Sequence, residues 1–228
     1  MDKVDNSANR HIFGHSGAVI GLFAKQPVPG QVKTRLTPPL TAEQACQLYR
    51  TALQESFSRL LNTAAPIAIC YAGERSWFQA TFPGVPLFAQ QGEGLGARMS
   101  NAVADLFAAA GGPVLLAGSD SPDLPLGLVS EAIDHLQRND VVTVPCRDGG
   151  YAMIGLRQPT AKLFDSIPWS TPAVSEATRR RCLELGLSFH ETAGWDDLDD
   201  FADLQRLVER SPGSLTARHI VGELAALF

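Results

Sequence analysis

Lys25, Lys33 and Arg35 follow one apolar run in the stretch GLFAKQPVPGQVKTRLTPPL, residues 21–40. Arginine forks and lysine point charges beyond a strand are the side chains that phosphate oxygens favour. The stretch is not a P-loop. That motif puts Lys directly after the second of two glycines, whereas two residues separate Gly30 from Lys33. Pro27, Pro29, Pro38 and Pro39 also keep a helix from starting before Thr41. The predicted grip on phosphate is therefore by side-chain cations, and the alternative is an ordinary solvated loop.

Four further loops carry chemistry-bearing residues. In AGSDSPDLP, residues 117–125, Asp120 directly follows a strongly apolar run, where a carboxylate needs a partner. Oxygen ligands at such a point suit Mg²⁺ or Mn²⁺ bridging to a diphosphate. Asp123 is expected to cap a helix beginning near Pro125. In QQGEGLGARMSNA, residues 90–102, Gly92, Gly94 and Gly96 precede a helix carrying Arg98 in its first turn. Backbone amides and a helix N-terminus there favour an anion, and a plain flexible connection is the alternative. In CRDGGYAMIGL, residues 146–156, Asp148 and Gly149 signal a turn, with Gly150 and Tyr151 following. The functional reading has Asp148 and Tyr151 face an acceptor; the other is a simple hairpin. The fifth loop, GWDDLDDFADL at 194–204, packs acids at 196, 197, 199, 200 and 203. Helix N-termini tolerate acids, and one of these carboxylates could complete a divalent-metal site with Asp120.

Strands and helices alternate around these loops. Residues 18–24 (AVIGLFA), 66–71 (PIAICY), 113–118 (PVLLAG) and 140–146 (DVVTVPC) read as buried strands. Residues 85–89, with Pro86, read as an edge strand, and 151–156 and 188–192 as further strands. Thr41 and Gln44 form a capping-box pattern opening a helix over 41–62. Helices are also expected over 95–110, 125–137, from Thr171-Pro172 to about 186, and over 200–209 and 215–227. This alternation predicts a three-layer α/β fold with a central, mostly parallel sheet. Ligands in such sheets bind beyond the carboxyl ends of the strands, which is where the cationic and acidic loops fall.

The 228-residue length fits one domain over 18–228, with a polar, mobile leader over 1–17 that lacks signal-peptide order. A net charge of -5 argues against a nucleic-acid coat. Cys46, Cys70, Cys146 and Cys182 have neither zinc-finger nor C-x-x-C spacing and read as reduced, buried thiols. No apolar run spans a bilayer, so the expected location is cytoplasmic. The G-x-S-x-G elbow and the G-x-G-x-x-G fingerprint are both missing.

FAKQPVPGQVKTRL, QGEGLGARM, GSDSPDLP, RDGGYAMIGL, PWSTP and DDLDDFADL occur in that order. Together they resemble a bacterial family of predicted glycosyltransferases with the GT-A, nucleotide-diphospho-sugar transferase fold. The family is linked to radical-SAM genes, is known as a domain of unknown function, and is related to molybdopterin and phospholactate guanylyltransferases. The resemblance covers residues 18–207. It implies that Lys25, Lys33 and Arg35 bind phosphates and that the 92–98 loop lies near the nucleotide. It also implies that Asp120, with Asp197 and Asp199, holds the metal. The chain departs from the family at Ser121, where Cys is usual, and at Asp200-Phe201-Ala202, where Thr-Pro-Glu is usual.

The leading expectation is a metal-dependent transferase using a nucleotide-diphospho-sugar donor and a small-molecule acceptor. Lys33, Arg35, Asp120 and Asp148 are its expected catalytic residues, and Asp148, Gly149, Gly150 and Tyr151 its acceptor side. The alternatives are nucleotidyl transfer from an NTP to a phosphorylated small molecule, with pyrophosphate release, and nucleotide binding without catalysis.

Overall fold

A computed structural model describes residue 13 and residues 17–225. The leader expected over 1–17 falls outside the described residues except for Phe13 and Gly17. Among the described residues, seven strands form one sheet in the order β3-β2-β1-β4-β6-β5-β7. They are β1 (Val19–Lys25), β2 (Ile67–Ala72), β3 (Leu87–Ala89), β4 (Val114–Gly118), β5 (Val141–Pro145), β6 (Tyr151–Leu156) and β7 (Phe189–Glu191). The β1, β2, β3 and β4 pairings are parallel, as is β5 with β7, while β6 is antiparallel to β4 and β5. The α/β reading and the mostly parallel sheet are borne out.

The helices are α1 (Ala42–Leu60), α2 (Arg75–Thr81), α3 (Gly94–Ala110), α4 (Leu126–His135), α5 (Val174–Glu184), α6 (Phe201–Arg210) and α7 (Leu215–Glu223). Strands buried on both faces read as unbroken apolar runs, and alternate residues feed two cores. Ile20, Leu22 and Leu115 pack on one face with Val129 and Ala132 of α4 and with Leu136, its C-cap. Val19, Val114 and Leu116 pack on the other with Met99, Val103 and Leu106 of α3. A third cluster joins α1 to α6 and α7 through Leu48, Leu204 and Ile220. Glu55 of α1 is buried there, and its carboxylate accepts from the Leu215 and Thr216 amides and the Thr216 hydroxyl at 2.9, 2.7 and 2.6 Å. It satisfies donors that the first turn of α7 leaves open.

The capping box of α1 forms as its sequence predicts: Thr41 Oγ1 accepts from Gln44 N, and Gln44 Oε1 accepts from Thr41 N. Helix α2 falls between the strands at 66–71 and 85–89, where the sequence predicts no element, because its seven residues are too few to show a period. Two expectations need correction. Helix α5 starts at Val174 with Ala173 as its N-cap, so Pro172 lies outside its first turn. Asp123 does not cap α4, whose N-cap is Pro125 with no side-chain cap bond. All four cysteines are buried and free. No described helix is long and apolar enough to cross a membrane.

Candidate active site

A cavity of about 530 Å³ opens beyond the carboxyl ends of β1 and β4. Arg35, Asp120, Asp148, Asp197 and Asp199 line it, together with Phe23, Leu95, Met99, Tyr151 and Trp169. A second cavity, of about 260 Å³, shares Arg35, Asp120 and Asp199 with the first and adds Lys25, Lys33 and Tyr49. One side of the site is thus charged and the other apolar, as in ligand sites where a few polar groups fix orientation.

The cations of the opening stretch have unequal surroundings. Lys33 has φ 48° and ψ 38°, a left-handed conformation that lysine rarely adopts, just before the 3-10 turn Thr34–Leu36. That twist turns its side chain inward until only 6% stays exposed. Its Nζ lies 2.5 Å from Asp120 Oδ1 and 4.0 Å from Asp199 Oδ1, and donates to the Leu198 carbonyl. Arg35 is 65% exposed and meets Asp199 Oδ2 at 2.7 Å. Lys25 donates from Nζ to Gln31 O at 2.9 Å and from its amide to the Tyr49 hydroxyl, which also meets Ser119 Oγ at 2.9 Å.

The acidic segment after β7 is stitched across the site. Trp195 N donates to Pro145 O and Leu198 N to Asp120 O, both at 2.9 Å. Arg210 holds Asp123 through Nε at 2.7 Å and Nη2 at 3.0 Å, and reaches Asp196 through Nη1 at 2.9 Å. Asp196 in turn pairs with Arg147 at 3.0 Å. Trp195 lies under the Arg210 guanidinium and donates Nε1 to Asp123. Asp200 and Asp203 form the capping box of α6. Of the five acids, Asp197 and Asp199 are the two that line the larger cavity.

The glycine-rich loop contributes less directly than its composition suggests. Leu95 and Met99 of α3 line the larger cavity, but Gly92, Gly94, Gly96 and Arg98 line neither cavity described above. A Cβ on Gly96 would meet Trp169 Nε1 at 2.5 Å, so this glycine makes room for the indole that walls the site. Arg98 Nε bends back to the Gly92 carbonyl at 3.3 Å.

The β5–β6 hairpin forms at Asp148-Gly149 as predicted. Asp148, Gly150 and Tyr151 line the cavity, and Asp148 Oδ1 accepts from Gly150 N at 2.8 Å. Gly149 faces away: its φ is +88°, and a Cβ would collide with the Pro172 carbonyl oxygen. Ser175 fastens the same turn by donating its amide to Gly149 O and its hydroxyl to Gly150 O. Gly149→Ala is expected to lower the free energy of unfolding by about 2–3 kcal/mol, read from urea denaturation.

Sequence reasoning missed Trp169, Phe23 and Cys146. PWSTP was visible as a motif, but nothing in it shows which wall an indole will form. Cys146 Sγ and carboxylate oxygens of Asp148 and Asp197 lie within 4.8 Å of one another. Burial, then the carboxylates of Asp197 and Asp148, raises the Cys146 thiol, leaving it neutral. Burial first, then Asp199 and Asp148, pushes the Asp197 carboxyl up to about 7. Burial also raises Asp199 against the pull of Lys33. Close carboxylates with too little positive charge are hard oxygen donors suited to Mg²⁺ or Mn²⁺, and the residues fit such an ion.

This shift has a stability consequence. A carboxyl raised in the folded state adds stability below its unfolded value, near 4, and loses it as pH rises through about 7. Asp197→Asn is therefore expected to stabilise the metal-free protein at pH 8 by about 2 kcal/mol after allowance for solvent screening, and to change little at pH 4. Thermal unfolding in EDTA at the two pH values reads this directly.

The sequence profile of a bacterial family, described as "Uncharacterized protein conserved in bacteria (DUF2064)", matches residues 51–171. The chain belongs to DUF2064. A solved structure from Desulfovibrio desulfuricans G20, provisionally assigned as a nucleotide-diphospho-sugar transferase, is 33% identical to this DUF2064 chain. It superposes with a TM-score of 0.84, covering 91% of this chain and 95% of the other. The family resemblance and the nucleotide-diphospho-sugar transferase fold are borne out. More distant structures share the fold alone. CMP:2-keto-3-deoxy-manno-octonic acid synthetase, solved with CTP, is 13% identical with a TM-score of 0.56, covering 84% and 97%. A Mycobacterium tuberculosis H37Rv protein solved with manganese is 16% identical with a TM-score of 0.53, covering 86% and 99%. No curated protein matches this chain.

Proposed function

We propose that this chain is a divalent-metal-dependent transferase that uses a nucleotide-diphospho-sugar donor. The observation that carries this reading is one cavity combining Asp120, Asp148, Asp197 and Asp199 with Arg35 at the strand ends, beside an apolar wall of Phe23, Leu95, Met99 and Trp169. The charged side suits a metal-bound diphosphate, and the apolar wall suits the rest of the donor. The assigned activity of the 33% identical relative supports it.

In this reading Asp148 and Asp197 hold Mg²⁺ or Mn²⁺, with Asp120 and Asp199 beside Lys33. The ion, when bound, supplies positive charge to the diphosphate as its bond to the sugar breaks. Arg35, exposed and at the rim, swings from Asp199 to a phosphate oxygen. Lys33 fixes Asp120 and the Leu198 carbonyl, so the acidic segment stays in place as charge develops. Gly150 and Tyr151 line the same cavity and form the acceptor side.

Incubation with a panel of sugar nucleotides, Mn²⁺ and small hydroxylated acceptors tests the proposal. Release of free nucleoside diphosphate, lost in Asp197→Asn, is expected. Pyrophosphate release from an NTP and a phosphorylated acceptor, with no turnover of any sugar nucleotide, would overturn it in favour of nucleotidyl transfer.

A further inference from the structure

At the end of the sheet opposite β3, side chains of α4 reach the edge strand β7. Glu131 and His135 stand one helical turn apart on α4 and share a face. Strand β7 pairs with β5 in a register that sets His190 opposite Val142, whose side chain joins the α4 face of the sheet. The flanking Phe189 packs on the opposite face. The alternation of β7 therefore points His190 toward α4, where an apolar residue would ordinarily close the core.

The resulting cluster has the make-up of a metal site. One ligand atom each from Glu131, His135 and His190 lies within 4.8 Å of the other two. The His135 and His190 rings stack with centroids 3.4 Å apart and planes 3° from parallel. His190 Nε2 is 3.6 Å from Glu131 Oε1, is shielded from solvent and has no hydrogen-bond partner. A shielded, orphaned imidazole nitrogen requires an explanation, and a metal ion is one that would also draw the neighbouring donors together. A tetrahedral zinc ion with bonds of about 2.0–2.2 Å holds its donors roughly 3.3 Å apart. An ion must lie near the plane of each imidazole it binds, so ligation requires the two rings to turn out of their parallel stack, with the Glu131 side chain, which is 41% exposed, following.

We propose that Glu131, His135 and His190 bind a divalent transition ion of the zinc class, which clips α4 to the free edge of the sheet. The two imidazoles are borderline donors and make the set favour Zn²⁺ over Mg²⁺, unlike the carboxylates of the transferase site. The fourth position is left to water. This site is independent of the transferase reading.

Zn²⁺ and Co²⁺ titration of the chelator-stripped full chain, in excess Mg²⁺, tests the proposal. Calorimetry should show a Zn²⁺ site that Mg²⁺ does not displace, and Co²⁺ should develop the visible bands of a four-coordinate ion. Zn²⁺ at a hundredfold excess over its Kd should raise the unfolding midpoint by about 5–10 °C. His135→Ala and His190→Ala should each weaken Zn²⁺ binding by about tenfold or more and remove the Co²⁺ bands, while Asp197→Asn retains both. If His190→Ala does not fold, the His135→Ala and Glu131→Gln variants carry the test, since both changes lie on the helix surface. Zn²⁺ affinity and Co²⁺ bands unchanged in the histidine variants would overturn the site and leave a simple His190–Glu131 ion pair.

Discussion

Lys33→Met is expected to lower turnover of the sugar-nucleotide donor by about 10²–10³-fold, while folding is preserved. The methionine keeps most of the apolar stem but removes the only described cation that touches both Asp120 and the Leu198 carbonyl. Asp120 and Asp199 would then face each other without the charge between them, and the segment carrying Asp197 would keep only the exposed Arg35–Asp199 pair as a side-chain anchor to the first loop. Arg35→Met is expected to behave differently, because its guanidinium is mostly exposed. Losing it should weaken binding of nucleoside di- and triphosphates far more than binding of nucleosides. Steady-state kinetics for Lys33→Met, and calorimetry with a nucleoside and its diphosphate for Arg35→Met, check the two outcomes. Equal losses for both ligands would remove Arg35 from the phosphate site.

Asp123→Asn is expected to cost about 3 kcal/mol of stability. Its side chain is 1% exposed and receives Arg210 Nε and Nη2. Breaking such a pair leaves the mostly buried guanidinium with Asp196 as its remaining carboxylate. Burial alone would raise the Asp123 carboxyl, but hydrogen bonds from Arg210 and Ser211 overcome it and hold it below the usual range. The stability it contributes is therefore present above its unfolded value and is lost as pH falls through the lowered folded value. Asp197 acts in the opposite sense, losing stability as pH rises through about 7. Denaturant unfolding of Asp123→Asn at pH 7 and pH 3 should give a large deficit at the first and a much smaller one at the second.

The parts legible in the sequence were those set by neighbouring residues. The apolar run at β1, the Thr41–Gln44 box and the Asp148-Gly149 turn each carry their own short-range cause, and each formed where predicted. Asp123 was misread because a carboxylate two residues before Pro125 looks like a cap. Its real partner, Arg210, lies 87 residues further on. The cluster of late acids was visible, but its division of labour was not. Asp196 serves the Arg210 network, Asp200 and Asp203 serve α6, and Asp197 and Asp199 reach the cavity. The register of one extended segment decides that allocation, and it is set by backbone bonds to Asp120 and Pro145. Trp169 escaped for the same kind of reason: the space it fills is created by Gly96, on another element.

The bond from Lys33 to Leu198 joins positions 165 residues apart. During synthesis the loop carrying Lys33 leaves the ribosome first, and the segment that completes the acidic half follows 165 residues later. The β1–β2–β3 region can pair while the chain is still being made, yet the site cannot close until residues 195–199 dock beside Asp120 and Pro145. Completion of the charged cavity thus follows pairing of the first strands. A chain cut short before Trp195 would keep much of the sheet and lose Asp197 and Asp199 from the charged cavity.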